Sequence, residues 1–313
     1  FLGGHLVIGG GLSLGDFAAF NSYVALMIFP ILVIGFMSNV IARSTASYGR
    51  IVDVLDAPDV VDSGTVAATL RGDITLKNVS LIFGEKSALK NVSMKIDAGT
   101  KVAILGPTAA GKTQLLYALI GLVAPTEGAV EYDGISLEQY EKASLYAQVG
   151  FVFQESIMFN LSVKENIAFS QAVTEENMKK AIETAELADF ISTLPEGIET
   201  IVSERGTSLS GGQKQRIMLA RALALNPKIL LLDDFTARVD AQTQEKIIAN
   251  IDKNYPNMTL VSVTQTIAPI EQYDQIILLM EGEVLAQGTH GELMASSPEY
   301  VQMVDSQQST NLL

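Results

Sequence analysis

Gly106-Pro107-Thr108-Ala109-Ala110-Gly111-Lys112-Thr113 is the stretch on which the reading of this sequence turns. It fits the pattern G-x-x-x-x-G-K-[ST]. The apolar run Val102–Leu105 before it reads as a strand, and Gln114–Leu122 after it reads as a helix. Strand, glycine-rich loop and helix in that order make a phosphate loop. Backbone N–H groups and the helix N-terminus cradle phosphates. In this pattern Lys112 reaches the β- and γ-phosphates and the Thr113 hydroxyl ligates Mg²⁺. All eight residues, with Gln114, are candidate ligands of a nucleotide.

Moving outward, Ile229-Leu230-Leu231-Leu232-Asp233-Asp234 is a buried-type strand that ends in carboxylates. Ligands gather at the carboxyl ends of strands in open parallel sheets, which makes Asp233 a second candidate for Mg²⁺. Leu260–Thr264 is a third continuous apolar run. Runs of this kind suit a parallel sheet covered on both faces. Ile74–Val79 and Val92–Ile96 alternate instead and predict antiparallel strands. Glu175–Phe190 predicts a helix.

Composition narrows the chemistry. The chain has 313 residues, with 35 acidic and 21 basic side chains and a net charge of −14. That balance speaks against a nucleic-acid-binding surface. There is no Cys, which removes disulfides, thiol catalysis and Cys-containing zinc sites. The two His, His5 and His290, lie at opposite ends, so a histidine metal site or a Ser-His-Asp triad is not expected. Residues 1–60 carry a net −2, which leaves −12 for the rest. Phe17–Ala42 holds 26 residues without a charge. As a helix at ~1.5 Å per residue it reaches ~39 Å, enough to cross a ~30 Å hydrocarbon core. Pro30 inside it is tolerated where neighbouring helices satisfy the freed carbonyl. Phe1–Gly11 reads as the tail of an earlier span. Arg43 and Arg50 follow the uncharged segment and put the C-terminal side in the cytoplasm. The expected division is 1–55 for membrane helices, 56–70 for a linker holding Pro58 and Gly64, and 71–313 for a soluble domain.

Leu209-Ser210-Gly211-Gly212-Gln213 lies between the phosphate loop and the acidic strand. Ser210 and Gln213 form an S-x-x-Q capping box that opens a helix running to about Leu225. Two glycines at its start allow close backbone approach to an anion at the positive end of the helix. With both other motifs in order, this pentapeptide is identified as the signature motif of ATP-binding cassette (ABC) proteins, and nearly the whole chain resembles the C-terminal half of an ABC exporter subunit. The resemblance implies a P-loop NTPase cassette of the α/β class, with a parallel sheet core, an antiparallel β subdomain and a helical subdomain, preceded by an all-α transmembrane segment. It implies ATP and Mg²⁺ as cofactors. It also implies a second exporter subunit and a lipid bilayer as partners, an unspecified transported substrate, and a plasma-membrane protein with its nucleotide-binding domain in the cytoplasm.

Site residues carried over by the resemblance are Phe83 as the ring stacked on adenine and Gln154 as the glutamine that senses Mg²⁺ and the membrane domain. Ser210, Gly211, Gly212 and Gln213 would bind the nucleotide held by the partner. Glu204-Arg205-Gly206 matches the loop that faces the membrane domain, and Ala237-Arg238-Val239-Asp240 stands where the family has Ser-Ala-Leu-Asp. His290 is expected to be structural. Two departures bear on catalysis. The family's base is a Glu after the acidic strand, and here it is Asp234, whose carboxylate is withdrawn by ~1.5 Å. The family's switch His is Gln265, which donates a hydrogen bond but carries no proton. A displacement of order 1 Å costs ~10²-fold in rate. The expectation is a slow own site, an intact signature, and a heterodimeric exporter. The alternatives are a soluble or a chiefly regulatory ABC ATPase.

Overall fold

The computed structural model describes residues 1–57, 64–202 and 209–311. The chain divides into two compact units, Phe1–Val61 and Asp62–Leu313.

The first unit is helical, with α1 at Leu2–Ile8 and α2 at Leu14–Leu55. Helix α2 is 42 residues long, about 63 Å at the α-helical rise. It is long and apolar enough to cross a membrane. It starts at Ser13, whose hydroxyl accepts the Asp16 N–H at 3.0 Å. None of its residues is buried, and Phe29, Ile34 and Phe36 are well exposed. Four of its polar side chains, Asn21, Ser22, Ser38 and Thr45, bond back to carbonyls of the helix itself. Ser22 donates to the Ala18 carbonyl and Ser38 to the Ile34 carbonyl, both at 3.0 Å. Hydroxyls satisfied within their own helix suit a segment surrounded by hydrocarbon.

The second unit begins its regular structure with β1 (Ile74–Phe83) and β2 (Lys86–Ile96), followed by β3 (Lys101–Leu105) and α3 (Lys112–Ile120). After these come β4 (Glu127–Tyr132), β5 (Ile135–Ser136), α4 (Lys142–Tyr146) and β6 (Val149–Val152). Four helices follow, α5 (Val163–Ile167), α6 (Glu175–Thr184), α7 (Ala188–Ser192) and α8 (Gly211–Leu223). The chain then returns through β7 (Ile229–Asp233), α9 (Ala241–Asn254), β8 (Thr259–Thr264), β9 (Gln275–Met280), β10 (Glu283–Gly288), α10 (His290–Ser296) and α11 (Pro298–Asn311).

Two sheets result. One is antiparallel in the order β2-β1-β4-β5, and the other runs β10-β9-β3-β8-β7-β6. In the second sheet every pairing is parallel except β10 with β9. The continuous apolar strands are explained by burial on both faces. Ala103, Leu105, Ile276 and Leu278 pack towards α8 and the helical region, while Val102, Ile104, Ile277 and Leu279 pack towards α3 and the antiparallel sheet. This order also sets the carboxyl ends of β3, β8, β7 and β6 side by side, where the glycine-rich loop, Gln265, Asp233 and Gln154 follow their strands.

Several boundaries differ from expectation for physical reasons. Strands β1 and β2 run longer than their alternating cores, because register shifts near Leu76–Val79 and Val79–Leu81 break the period. Helix α3 begins at Lys112 and stops before Gly121, whose φ of 75° lets Gly121 N–H and Leu122 N–H fold back onto the carbonyls of Ala118 and Tyr117. The single helix expected over Glu175–Phe190 is two helices. Glu186 sits at φ 54° between them. It is held there by Asn250 Nδ2 on its carboxylate at 2.6 Å and by the Arg216 guanidinium on its carbonyl. Helix α8 ends at Leu223 rather than Leu225. Residues 64–70, expected within the linker, are bonded into the domain. Val66 N–H reaches the Gln139 carbonyl at 2.9 Å, and the Gln148 side chain joins Leu70 N–H to the Ala68 carbonyl.

Candidate functional site

The glycine-rich loop is fixed by what surrounds it. A Cβ on Gly106 would stand 2.1 Å from the Leu279 carbonyl oxygen, so only glycine fits beside β9. Gly111 has φ 99°, and a Cβ there would meet the Ala88 carbonyl oxygen at 2.6 Å. No side chain caps the start of α3. Its first N–H groups therefore face the loop without a side-chain acceptor, which is the arrangement that takes up an anion.

Lys112 is buried and folds over this loop. Its Nζ donates to the Gly106 carbonyl at 2.7 Å and the Pro107 carbonyl at 2.8 Å. Burial lowers its pKa from the ordinary lysine value, against the opposing pull of Asp234 and Asp233. Thr113, one residue further, donates its hydroxyl to Asp233 Oδ1 at 3.2 Å. Asp233 is 1% exposed. Its other oxygen, Oδ2, is buried and has no hydrogen-bond partner. Burial raises the Asp233 pKa and Asp234 adds to this, while the Thr113 hydrogen bond and Lys112 oppose it. A buried carboxylate oxygen without a partner beside a threonine hydroxyl fits a hard divalent cation. No cluster of three or more His, Cys, Asp or Glu occurs among the described residues. Mg²⁺ takes one or two protein oxygens and completes its shell with phosphate and water.

Asp234 follows at φ 48°, its N–H on the Val263 carbonyl at 3.1 Å. Burial raises its pKa, opposed by Lys112 and Arg238. Gln265 leaves the end of β8, and its Oε1 accepts the Thr108 hydroxyl at 3.3 Å. Thr108 to Thr113, Asp233, Asp234 and Gln265 line one open cleft of about 510 Å³, together with Gln114 and Gln154, while Gly106 and Pro107 are not among its lining residues. Phe83 stands at the end of β1, half exposed, and is not among the cleft's lining residues.

The signature residues are not brought to this cleft. Ser210 and Gln213 form the expected capping box. Ser210 Oγ accepts Gln213 N–H at 3.2 Å, and Gln213 Oε1 accepts Ser210 N–H at 2.8 Å. Gly212 has a reason within its own chain that the sequence did not reveal, since a Cβ there would lie 2.8 Å from the Arg238 carbonyl oxygen. Asp240 caps α9, accepting Thr243 N–H at 2.9 Å. Glu204-Arg205-Gly206 lies outside the described residues. His290 Nδ1 is 2.8 Å from the hydroxyl of the fully buried Tyr300, a structural contact.

Ser87, Ala88 and Lys90 of β2 and the Glu281-Gly282 turn also line the cleft, and sequence reasoning missed them. The turn had a signal. Two residues ending in Gly separate two strands, and both have positive φ, 48° and 82°. Gly282 N–H donates to the Ala110 carbonyl at 3.1 Å, and Lys90 N–H to the Gly282 carbonyl at 2.8 Å. This hairpin therefore braces the phosphate loop. Lys90 carried no signal, because its place depends on strand register.

A glycine-rich loop closing the central strand of a parallel sheet, with a lysine folded over it and a buried carboxylate two strands away, defines a nucleoside triphosphate-binding domain of the P-loop class. Residues 89–237 match the ABC transporter family, and the domain has the ABC cassette fold, a parallel sheet with an antiparallel subdomain. Along 312 residues the chain is 37% identical to the probable multidrug resistance ABC transporter ATP-binding/permease protein YheI of Bacillus subtilis (strain 168), covering 98% of this chain and 53% of that protein. It is 34% identical over 292 residues to the ATP-dependent lipid A-core flippase of Acinetobacter baylyi, covering 92% of this chain and 51% of the flippase. A solved bacterial Atm1-family ABC exporter with ATP bound superposes with a TM-score of 0.78 at 30% identity, over 97% of this chain and 55% of that one. The chain thus spans about half the length of the relatives it matches.

Proposed function

We propose that this chain is the ATP-binding part of an ABC exporter subunit, coupling ATP binding and hydrolysis to movement of a substrate across a membrane. The observation that carries the reading is Asp233, with one oxygen on Thr113 and the other buried without a partner, in a cleft that Lys112 also lines. In this reading the loop from Gly106 to Thr113 and Gln114 hold the polyphosphate, Phe83 meets the adenine, and Thr113, Asp233 and Gln154 hold Mg²⁺. The metal supplies charge neutralisation at the phosphates. Lys112 turns from the Gly106 and Pro107 carbonyls to the phosphates. Asp234 accepts a proton from the attacking water, and Gln265 donates a hydrogen bond to the terminal phosphate. Similarity along the whole chain to exporter-type proteins and the apolar length of α2 support a membrane setting, with the cassette in the cytoplasm.

The finer part of the proposal is asymmetry. Asp234 and Gln265 make the chain's own site slow. Ser210, Gly211, Gly212 and Gln213 complete the site of a second, different exporter subunit. Titration of the full chain with ATP tests the site itself. Tight binding should need Mg²⁺, and Asp233→Asn should remove that need while leaving weak, metal-independent binding. ATP affinity indifferent to Mg²⁺ in the unaltered chain would remove the basis of the reading.

A further inference from the structure

Helix α11 is seated by Tyr300, fully buried, with Met303 and Val304 against the core. Steps of three and four residues continue that stripe to Gln307. An apolar residue is expected at this position. The half-buried glutamine there uses both ends of its amide. Oε1 accepts the Ile267 N–H at 2.9 Å, and Nε2 donates to the Gln265 carbonyl at 2.7 Å. Only this orientation of the amide satisfies both groups. The segment it grips follows β8 directly, and a second brace holds it, Thr266 N–H on Thr264 Oγ1 at 3.1 Å. The side chain of Gln265 then lines the cleft and accepts from Thr108 of the phosphate loop at 3.3 Å. Gln265 therefore links the last helix to the loop, its backbone carbonyl bonded to Gln307 and its side chain to Thr108.

We propose that Gln307 is a positioning residue for the nucleotide site: its amide fixes the backbone from which Gln265 reaches the cleft, so that α11 governs how the site discriminates a terminal phosphate. The inference rests on the reading of the cleft as the ATP site and of Gln265 as its γ-phosphate contact. A clamp that served only to anchor α11 would affect stability and leave ligand discrimination alone.

The test uses the full chain in lipid nanodiscs, with dissociation constants for Mg·ATP and Mg·ADP measured by calorimetry. Gln307→Met keeps length and volume but leaves the Ile267 N–H and the Gln265 carbonyl without this partner, so a melting shift of about 2–4 °C is expected and the readout is the ratio of the two affinities. ATP affinity should fall by about 3- to 10-fold with ADP affinity unchanged, the scale of one or two lost hydrogen bonds. Gln265→Ala should do the same, and the double variant should lose no more than either alone. Gln307→Glu is the second variant, since it keeps the acceptor for Ile267 N–H and sets a carboxylate against the Gln265 carbonyl. It should show the same selective loss. An unchanged ATP-to-ADP ratio in both Gln307 variants, losses that add with Gln265→Ala, or equal losses for both nucleotides that track melting temperature would each overturn the proposal while leaving the site reading intact. If Lys112→Ala bound both nucleotides normally, the site reading itself would fall and this inference with it.

Discussion

Helices α3 and α8 of the cassette both start beside a glycine, and they present their N-termini in opposite states. Helix α3 starts after Gly111 with no side-chain cap, under a buried lysine and beside a carboxylate oxygen that has no partner. Helix α8 starts after Ser210 with both partners of its capping box engaged. The first end is open and prepared for an anion within its own chain. The second has its Ser210 and Gln213 N–H groups taken up by the reciprocal cap. A site built into one polypeptide can be left unsatisfied, because its ligand arrives on a scaffold already in place. If α8 completes a site on another chain, as proposed, its end has to stay stable while it waits.

The largest expected effect separates the two ends directly. Lys112→Ala should weaken Mg·ATP binding by about 100-fold or more, since it removes the lysine folded over the glycine-rich loop. Ser210→Ala should leave binding by the isolated chain unchanged. Equal losses would mean that both ends serve one nucleotide, and the contrast would be lost. Next comes the assembled transporter. Ser210→Arg should lower ATPase activity by about 100-fold, by blocking the partner's site, while Asp234→Asn should lower it by less than about 2-fold if this chain's own site contributes little to turnover. The reverse pattern would assign the working site to this chain. Smaller again, Asp234→Glu with Gln265→His should raise turnover by about 10-fold or more, measured as steady-state phosphate release. No gain would place the handicap outside these two side chains. The smallest effect tests the waiting state of α8. Ser210→Ala should cost about 1 kcal/mol of stability, a melting shift of about 2–4 °C for a domain of this size. No shift would show that the capping box contributes nothing to the resting end.

The motifs around α3 were legible in the sequence because each is a short segment with fixed spacing on a strand of continuous apolar residues. Val102–Leu105, Ile229–Leu232 and Leu260–Thr264 could be placed in a parallel sheet from their apolar runs alone, and the candidate site residues stand at their carboxyl ends. What lay hidden depends on distant partners. The break at Glu186 is held by Asn250 and Arg216, more than 25 residues away in sequence, and no local pattern announces it. Lys90 reaches the cleft through register in β2. Gln307 could have been noticed only as a polar residue on an apolar stripe, and its two backbone partners lie 40 and 42 residues earlier. Gly212 was read as room for a phosphate, but the nearby Arg238 carbonyl already excludes a side chain there.

The hydrogen bond from Gly282 to Ala110 carries one last consequence. It ties the glycine-rich loop to the turn between β9 and β10. The cradle is thus moulded before its guest arrives, and little disorder has to be frozen out at the moment of capture. Exchange of spent for fresh nucleotide should then be governed by how quickly the guest leaves, with the receptacle keeping its form throughout.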